Sequence, residues 1–178
     1  LILLNLIENQ QINYKTLYGS WAGAFGFFQF MPSTIKNHAI DYNKDNYIDL
    51  KNPNDAFASA GNYLNNMGWK KNSHCFYKIK LDDKISKKYL NVSAKKIINK
   101  KKLKYFKKFI IDYENLSFLD ENLRVGIITP DKDIIPDAET LTPAYIIFEN
   151  YEIILKWNRS LRFALAVCTL KDKIRNEF

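Results

Sequence analysis

Half of the chain's glycines are concentrated in one short stretch. Gly19, Gly23 and Gly26 lie within eight residues, although the whole chain of 178 residues contains only six glycines. Glycine and alanine at this density allow tight turns and a close approach of the backbone to another surface. Aromatic residues, Gln29 and Pro32 follow. We therefore expect a folded loop whose small residues, rings and single amide suit a sugar groove, and then a short helix that begins at Pro32.

The composition indicates a globular chain. Hydrophobic residues make up 47% and aromatic residues 15% of it, which argues against disorder. No apolar run is long enough to span a bilayer. The apolar opening at residues 1–7 lacks a basic leader, so we predict the end of a core helix there. The net charge of +8 favours an anionic partner, but the abundance of Lys, Asn, Ile, Tyr and Phe is also what AT-rich coding produces.

A second helix is predicted, and sequence signals mark both its start and its end. Asn52 is a suitable N-cap, Pro53 fits the first helical position, and Asp55 places negative charge in the first turn. Apolar residues then recur at helical spacing as far as Met67, and Gly68 is a typical residue to follow the C-terminus.

From residue 75 the character changes to short β-rich runs. Strands are predicted at residues 75–81, 109–111, 125–128 and 145–148, with a short helix over 93–103 and either a strand or a helix over 151–155. Ser160 is the expected N-cap of a closing helix. The apolar stripe predicted for that helix is Phe163, Ala164, Val167, Leu170 and Ile174.

This layout predicts an α+β fold in three parts. Residues 1–74 form a partial helical domain, residues 75–155 a β-rich insert, and residues 156–178 a C-terminal helix that returns to the helical domain.

Only two cysteines occur, Cys75 and Cys168, without a C-x-x-C pattern. A single long-range disulfide is possible if the compartment is oxidising, but the apolar surroundings of Cys168 favour a small buried hydrophobic residue there.

The segment 41–55 follows the beginning of an EF-hand loop. Asp41, Asn43 and Asp45 place oxygen side chains at positions 1, 3 and 5, and the Tyr47 carbonyl would supply position 7. Position 6 is Asn46 instead of glycine, and position 12 is not the usual glutamate. Taken alone, the pattern leaves two alternatives open, a calcium site and a polar turn rich in Asx residues.

The stretch at residues 19–33 carries a family resemblance. It reads G-S-W-A-G-A-F-G-F-F-Q-F-M-P-S. This closely resembles the G-S-x-A-G-A-x-G-x-x-Q-F-M-P-S signature of the lytic murein transglycosylase B family, glycoside hydrolase family 103. The resemblance is strong over residues 1–72 and moderate over 143–172. It implies a lysozyme-like helical domain and cleavage of the MurNAc-β-1,4-GlcNAc bond of peptidoglycan with formation of 1,6-anhydroMurNAc.

The resemblance also implies roles for individual residues. A structural Ca²⁺ would be bound by Asp41, Asn43, Asp45, the Tyr47 carbonyl and Asp55, the last from the start of the next helix. The residues matched to the family's substrate-binding positions are Ser20, Gln29, Tyr63, Trp157, Asn158 and Phe163. Trp157 and Phe163 replace tyrosines of the family, and the pair Phe27-Phe28 replaces smaller or polar residues. For Ser20 and Gln29, turn capping and bonding to backbone groups are the alternatives.

The catalytic glutamate of the family is not matched in this chain. It lies upstream in a G-x-E-T context that none of the seven glutamates reproduces. We therefore assign no catalytic residue, and we expect the chain to be the C-terminal portion of such an enzyme. The resemblance implies that the binding partner is a peptidoglycan glycan strand and that the protein is a monomer. It also implies a location in the periplasm or at the outer membrane. Membrane association is expected only through an N-terminal lipid anchor that this chain lacks.

Two other functions remain as alternatives. The first is a peptidoglycan-binding remnant without catalysis. The second is a nucleic-acid binder that uses the lysine-rich run at residues 95–108, although no nucleic-acid fold motif accompanies the run and we expect no nucleic acid as partner.

Overall fold

The computed structural model describes residues 1–131, 135 and 139–177, and the chain divides into two compact units, Leu1–Trp69 and Lys70–Phe178. Helices and strands both occur, as the predicted α+β class requires. The unit boundary lies at residues 69 and 70. The finer division at residue 155, and the return of the last helix to the helical domain, stay predictions.

The first unit contains three helices. They are α1 (Ile2–Glu8), α2 (Pro32–His38) and α3 (Pro53–Asn66), and α2 packs against both of the others. The predicted start of α2 at Pro32 is confirmed. The N-cap of α3 is confirmed as well, because the Asn52 side chain accepts a hydrogen bond of 2.9 Å from the Asn54 amide. Gly68 follows α3 with φ +90°, as expected of a residue that ends a helix.

The glycine-rich stretch folds as a compact loop. Backbone bridges pair Gly19 with Phe25 and Phe25 with Phe30. Gly26 has φ +77°, and a Cβ at this position would lie 2.7 Å from the Leu50 carbonyl oxygen. The glycine is therefore needed both for its backbone conformation and for close packing. Phe25, Phe30 and Leu50 all lie in the core of the unit.

The second unit is built on a small mixed sheet. Its strands are β1 (Phe76–Ile79), β2 (Leu90–Asn91), β3 (Lys101–Lys102), β4 (Arg124–Ile128) and β5 (Ala144–Ile147). The order is β1-β5-β4-β2, and β3 also pairs with β4. The β2–β4 pair is parallel and the other pairs are antiparallel. One face covers a core of aliphatic and aromatic side chains that includes Leu103, Phe106, Val125, Ile127 and Ile146.

Three helices complete the second unit. They are α4 (Leu103–Phe106), α5 (Glu149–Trp157) and α6 (Leu161–Glu177). The buried Tyr151 hydroxyl donates a 2.6 Å hydrogen bond to the Leu161 carbonyl and so joins α5 to α6. Cys75, next to β1, forms a disulfide with Cys168 of α6, with Cα atoms 6.1 Å apart. The structure therefore has the disulfide, and the interpretation of Cys168 as only a small buried hydrophobic residue is wrong.

Two details of the sequence-based assignment are wrong, and a third, which was left open, is decided by the structure. Residues 93–103 do not form a helix, because β3 occupies 101–102 and α4 begins at Leu103. Residues 109–111 do not form a strand, because Lys107–Phe109 is a 3₁₀ turn and only Ile110 makes an isolated bridge, to Leu81. The segment 151–155, left open above, is helical.

The stripe predicted for α6 is also displaced. Leu170 and Ile174 are exposed, whereas Leu161, Ala164 and Cys168 are buried. The disulfide and the hydrogen bond from Tyr151 fix the rotation of α6 around its axis. The spacing of apolar residues in the sequence contains no information about these two constraints, so it could not predict which face is buried. The cap is confirmed, since the Phe163 amide donates to Ser160 Oγ at 3.2 Å.

Candidate functional site

Ser20 is exposed on the glycine-rich loop and also holds its turn. Its Oγ accepts a hydrogen bond of 3.1 Å from the Ala24 amide, and its own amide donates to the Ala24 carbonyl at 2.8 Å. Turn capping, the alternative raised for Ser20, is therefore present. The hydroxyl proton is not used in this contact, so Ser20 can still donate to a ligand from the surface of the loop.

Gln29 occupies an unusual backbone conformation for its type. Its φ is +50°, and both its amide N–H and its side-chain Nε2 donate to the Gly26 carbonyl, at 3.2 and 2.9 Å. The side chain is exposed, and its Oε1 atom is an acceptor that this contact leaves available. A left-handed glutamine on an exposed loop is a sparsely populated state of the kind that concentrates at ligand-binding sites.

Tyr63 lies in an aromatic series beside this loop. Its ring centroid is 5.8 Å from that of Phe30 and 5.1 Å from that of His38, while Phe28 contacts Phe57 edge-on at 5.2 Å. Only 7% of Tyr63 is exposed, and burial raises the pKa of its hydroxyl. Packing is therefore the main role that the structure gives to this ring.

The sequence analysis did not single out Trp21, which is fully exposed next to Ser20. The nearby Tyr18 is 78% exposed, and Lys51 Nζ lies 4.8 Å from its ring centroid. Exposed rings beside small residues and an amide can stack on sugar rings. Its position in the sequence could have indicated this role, because Trp21 occupies the variable position x of the G-S-x-A-G-A motif.

The remaining three candidate residues lie in the second unit, at the junction of α5 and α6. Trp157 is the half-buried last residue of α5, and the exposed Asn158 follows as its C-cap. The Asn158 amide donates to the Ile154 carbonyl at 3.0 Å, and its carbonyl accepts from Ser160. Phe163, in the first turn of α6, is 39% exposed. This junction therefore presents a ring, an amide and a second ring within seven residues.

The loop at 41–55 is held by hydrogen bonds from backbone amides to its own Asp and Asn side chains, which both a cation-binding loop and a polar turn rich in Asx residues would contain. Asp41 accepts hydrogen bonds from the Asp45 and Asn46 amides at 3.2 and 2.9 Å, and Asp45 accepts from the Tyr47 amide at 2.9 Å. Asn43 Oδ1 accepts from the Asp45 amide at 3.2 Å. Asn46 has φ +72°, so it adopts the backbone conformation for which EF-hands use glycine.

Asp55 is fully buried and closes this loop. Its two carboxylate oxygens accept hydrogen bonds of 2.9 Å from the amides of Tyr42 and Asp49. Within the part of the chain that the structure describes, no three Asp, Glu, His or Cys side chains come together as a metal-holding group. The all-oxygen donors of Asp41, Asn43 and Asp45 fit the chemistry of Ca²⁺, while Asp55 is engaged with the backbone.

Two glutamates have surroundings that oppose the role of a general acid. Hydrogen bonds from Lys107 and Tyr113 lower the pKa of Glu121, and the ion pair with Lys70 lowers that of Glu149. A general acid for glycoside cleavage needs the opposite shift, produced by an apolar environment. The structure therefore gives no reason to assign these two carboxylates to catalysis.

A comparison with known proteins places these residues in a family. A family model described as Transglycosylase SLT domain matches residues 1–172. The chain is 43% identical over 68 residues to membrane-bound lytic murein transglycosylase B of Escherichia coli (strain K12), a match that covers 38% of this chain and 19% of that protein.

Solved structures share the fold. SltB3 of Pseudomonas aeruginosa, in complex with NAG-anhNAM-pentapeptide, is 26% identical with a TM-score of 0.80 over 98% of this chain and 44% of that one. The lytic transglycosylase Slt35 of Escherichia coli, in complex with calcium, is 22% identical with a TM-score of 0.72 over 99% of this chain and 52% of that one.

The chain thus spans about half the length of these solved relatives. The family match, in contrast, extends over both units and includes the loop that presents Ser20 and Gln29 as well as the junction of α5 and α6. We conclude that this chain belongs to the transglycosylase SLT domain family.

Proposed function

We propose that this chain serves in the lytic cleavage of peptidoglycan, at the MurNAc-β-1,4-GlcNAc bond with formation of 1,6-anhydroMurNAc. The observation that carries the proposal is the family match over residues 1–172. The relative SltB3, whose structure holds a NAG-anhNAM-pentapeptide, supports the choice of substrate. We assign no catalytic acid to residues of this chain.

In this proposal the glycine-rich loop binds the glycan. Ser20 and Gln29 contact sugar hydroxyl or N-acetyl groups, and Trp21 stacks on a sugar ring. Their exposure and the left-handed backbone of Gln29 support these roles. Tyr63 supports the loop from beneath, while Trp157, Asn158 and Phe163 supply further contacts to glycan.

The glycan-binding role is tested by retention of the chain on insoluble purified peptidoglycan. We expect Gln29→Ala to weaken retention at least several-fold, because the side chain is the only amide on the loop. Gln10→Ala is a matched control, since Gln10 is also exposed and also has a positive φ, of 56°. Equal retention of the two variants would contradict the role of Gln29.

The same incubation separates binding from catalysis. Soluble muropeptides are examined by mass spectrometry for 1,6-anhydro ends, which are one water lighter than hydrolytic ends. Anhydro products would show that a carboxylate of this chain acts as the acid. Retention without products would support the second candidate, a peptidoglycan-binding module without catalysis.

We further propose that the loop at 41–55 binds a structural Ca²⁺ through Asp41, Asn43, Asp45 and the Tyr47 carbonyl. Asp55, matched to a ligand of the family, would secure the loop through its two backbone bonds and contribute negative charge beside the ion. The relative Slt35, solved in complex with calcium, supports this proposal. The ion would hold the loop in place without taking part in the chemistry.

Calcium binding is tested by thermal unfolding in the presence of Ca²⁺ and of a chelator. We expect Ca²⁺ to raise the melting temperature of the chain but not that of Asp45→Ala. Asp120→Ala is a matched control, because Asp120 also accepts from the backbone amide two residues ahead, at 2.8 Å, but lies outside the loop. A calcium response that survives in Asp45→Ala would refute the assignment.

We also propose that the chain resides in the periplasm or at the outer membrane. The family supports this location, and so does the Cys75–Cys168 disulfide, because disulfides persist in oxidising compartments such as the bacterial periplasm. Along the described residues, no helix is long and apolar enough to cross a bilayer.

A further inference from the structure

The net positive charge of the chain arises from one segment of the second unit. Residues 84–109 contain eleven of the 27 basic residues and none of the 19 acidic ones. All eleven are lysines. The rest of the chain therefore has sixteen basic against 19 acidic residues, so the excess of positive charge belongs to this segment alone.

Most of these lysines are not neutralised. Lys100 pairs with Glu152 at 2.6 Å and Lys107 with Glu121 at 3.3 Å. For the other nine, the described part of the chain offers no carboxylate within ion-pair distance. Like charges this close repel one another, and an anionic partner relieves that repulsion.

The fold gathers three of the free lysines around a pair of tyrosines. Tyr89 and Tyr105 share a hydroxyl–hydroxyl hydrogen bond of 2.7 Å. Lys88 Nζ lies 5.2 Å from the Tyr89 ring centroid, and Lys101 and Lys108 each lie 5.8 Å from that of Tyr105. We refer to these five residues as the basic aromatic patch.

Polar side chains fix the part of the chain that carries Lys88 and Tyr89. The buried Asn91 donates to the Ile127 carbonyl at 2.9 Å and accepts from the Ile98 amide at 2.7 Å. Asn99 donates to the Lys88 carbonyl at 2.6 Å. These bonds hold the turn at Lys88 and the loop that follows it against β4.

Exposed apolar side chains lie next to the patch in the chain. Ile98, which precedes Asn99, is 49% exposed, and Ile111, three residues after Lys108, is 64% exposed. Tyr105 itself is 38% exposed. Lysine, tyrosine and isolated aliphatic side chains together are typical of a surface that meets lipid headgroups.

We propose that the basic aromatic patch docks this chain onto an anionic phospholipid bilayer. A bilayer fits better than a nucleic acid, because no arginine is present in the segment to bind bases bidentately and α4, with four residues, is too short for a recognition helix. The lysines come from three separate stretches. Laterally mobile lipids can supply a phosphate to each of them, which a polymer of fixed charge spacing cannot.

The test is co-sedimentation of the 178-residue chain with large vesicles. We expect binding to an equimolar mixture of phosphatidylcholine and phosphatidylglycerol, weak binding to phosphatidylcholine alone, and loss of binding as salt is raised. The triple variant Lys88→Gln, Lys101→Gln, Lys108→Gln should bind about a hundredfold more weakly, since each lysine near an anionic surface contributes on the order of a fivefold gain.

The matched control is the triple variant Lys36→Gln, Lys71→Gln, Lys173→Gln. It loses the same charge from exposed positions outside the segment, and we expect nearly full binding. Equal loss in the two triple variants would overturn the proposal, because net charge and not the patch would then govern binding. Absence of vesicle binding, together with patch-dependent binding to duplex DNA or to peptidoglycan, would overturn it as well.

Discussion

At the scale of single residues, the glycine-rich loop combines strain with exposure. Gly26 adopts a positive φ against Leu50, and three residues later Gln29 adopts one without being glycine. The two are joined, since Gln29 donates twice to the Gly26 carbonyl. The loop conformation therefore depends on a glycine that cannot be replaced and presents a glutamine in a costly conformation.

We expect Gly26→Ala to lower the free energy of unfolding by about 2–4 kcal/mol, through a left-handed alanine and an overpacked contact with Leu50. Gly61→Ala is the control. Gly61 lies within α3 with no atom within 4 Å of an added Cβ, so this variant should be stabilised by about 0.5–1 kcal/mol. Urea unfolding of both variants measures the difference, and similar stabilities would show that Gly26 is not constrained.

At the scale of elements, one buried amide ties the start of α5 to the loop at residues 70–73. Asn150 accepts from the Lys70 amide at 2.9 Å and donates to the carbonyls of Lys70 and Ser73 at 2.8 and 3.2 Å. It is fully buried. One side chain thus satisfies three backbone groups that have no strand or helix to pair with.

Replacing Asn150 by alanine should cost about 1–3 kcal/mol, because the Lys70 amide and the Ser73 carbonyl lose the hydrogen bonds that Asn150 makes with them, while the Lys70 carbonyl keeps its bond from the Ser73 amide. Asn65→Ala, at an exposed position of α3, should leave stability unchanged or slightly raised, since alanine is the better helix former. Chemical denaturation measures both variants. A small loss in Asn150→Ala would mean that water replaces the amide.

The elements with local signals were predicted from the sequence. Pro32, Asn52 and Ser160 marked helix starts correctly, and alternating or β-branched runs marked β1, β4 and β5. The helix predicted for the lysine-rich stretch at 93–103 was wrong. Lysine and alanine favour a helix, but hydrogen bonds to other parts of the fold decide the conformation of this stretch. Asn91, far along the sequence from its partner in β4, holds this stretch as a loop.

The candidate site was predicted only in its residue types. The motif at residues 19–33 indicated the family, which the match over residues 1–172 confirms, and it pointed to Ser20 and Gln29 as candidates. The left-handed backbone of Gln29 and the full exposure of Trp21 could not be read from the sequence, because both follow from the bridges that fold the loop. Whether these residues contact glycan stays a prediction.

At the scale of the whole molecule, a single covalent link spans most of the second unit. The disulfide joins residues 93 positions apart, from the start of β1 to the middle of α6. Both cysteines are fully buried. The sequence showed that such a link was possible in an oxidising compartment, but the pairing became evident only when the fold brought the two residues together.

We expect reduction of this disulfide to lower the free energy of unfolding by about 4 kcal/mol, because a loop of this length restricts the unfolded chain strongly. Burial protects the bond in the folded state, so reduction must be carried out in denaturant before refolding. The measurement is urea unfolding of the oxidised and the reduced chain. The double variant Cys75→Ala, Cys168→Ala is the control, and its stability should match that of the reduced chain and not respond to reductant. If the oxidised chain were no more stable than the double variant, the link would contribute nothing to the stability of the fold.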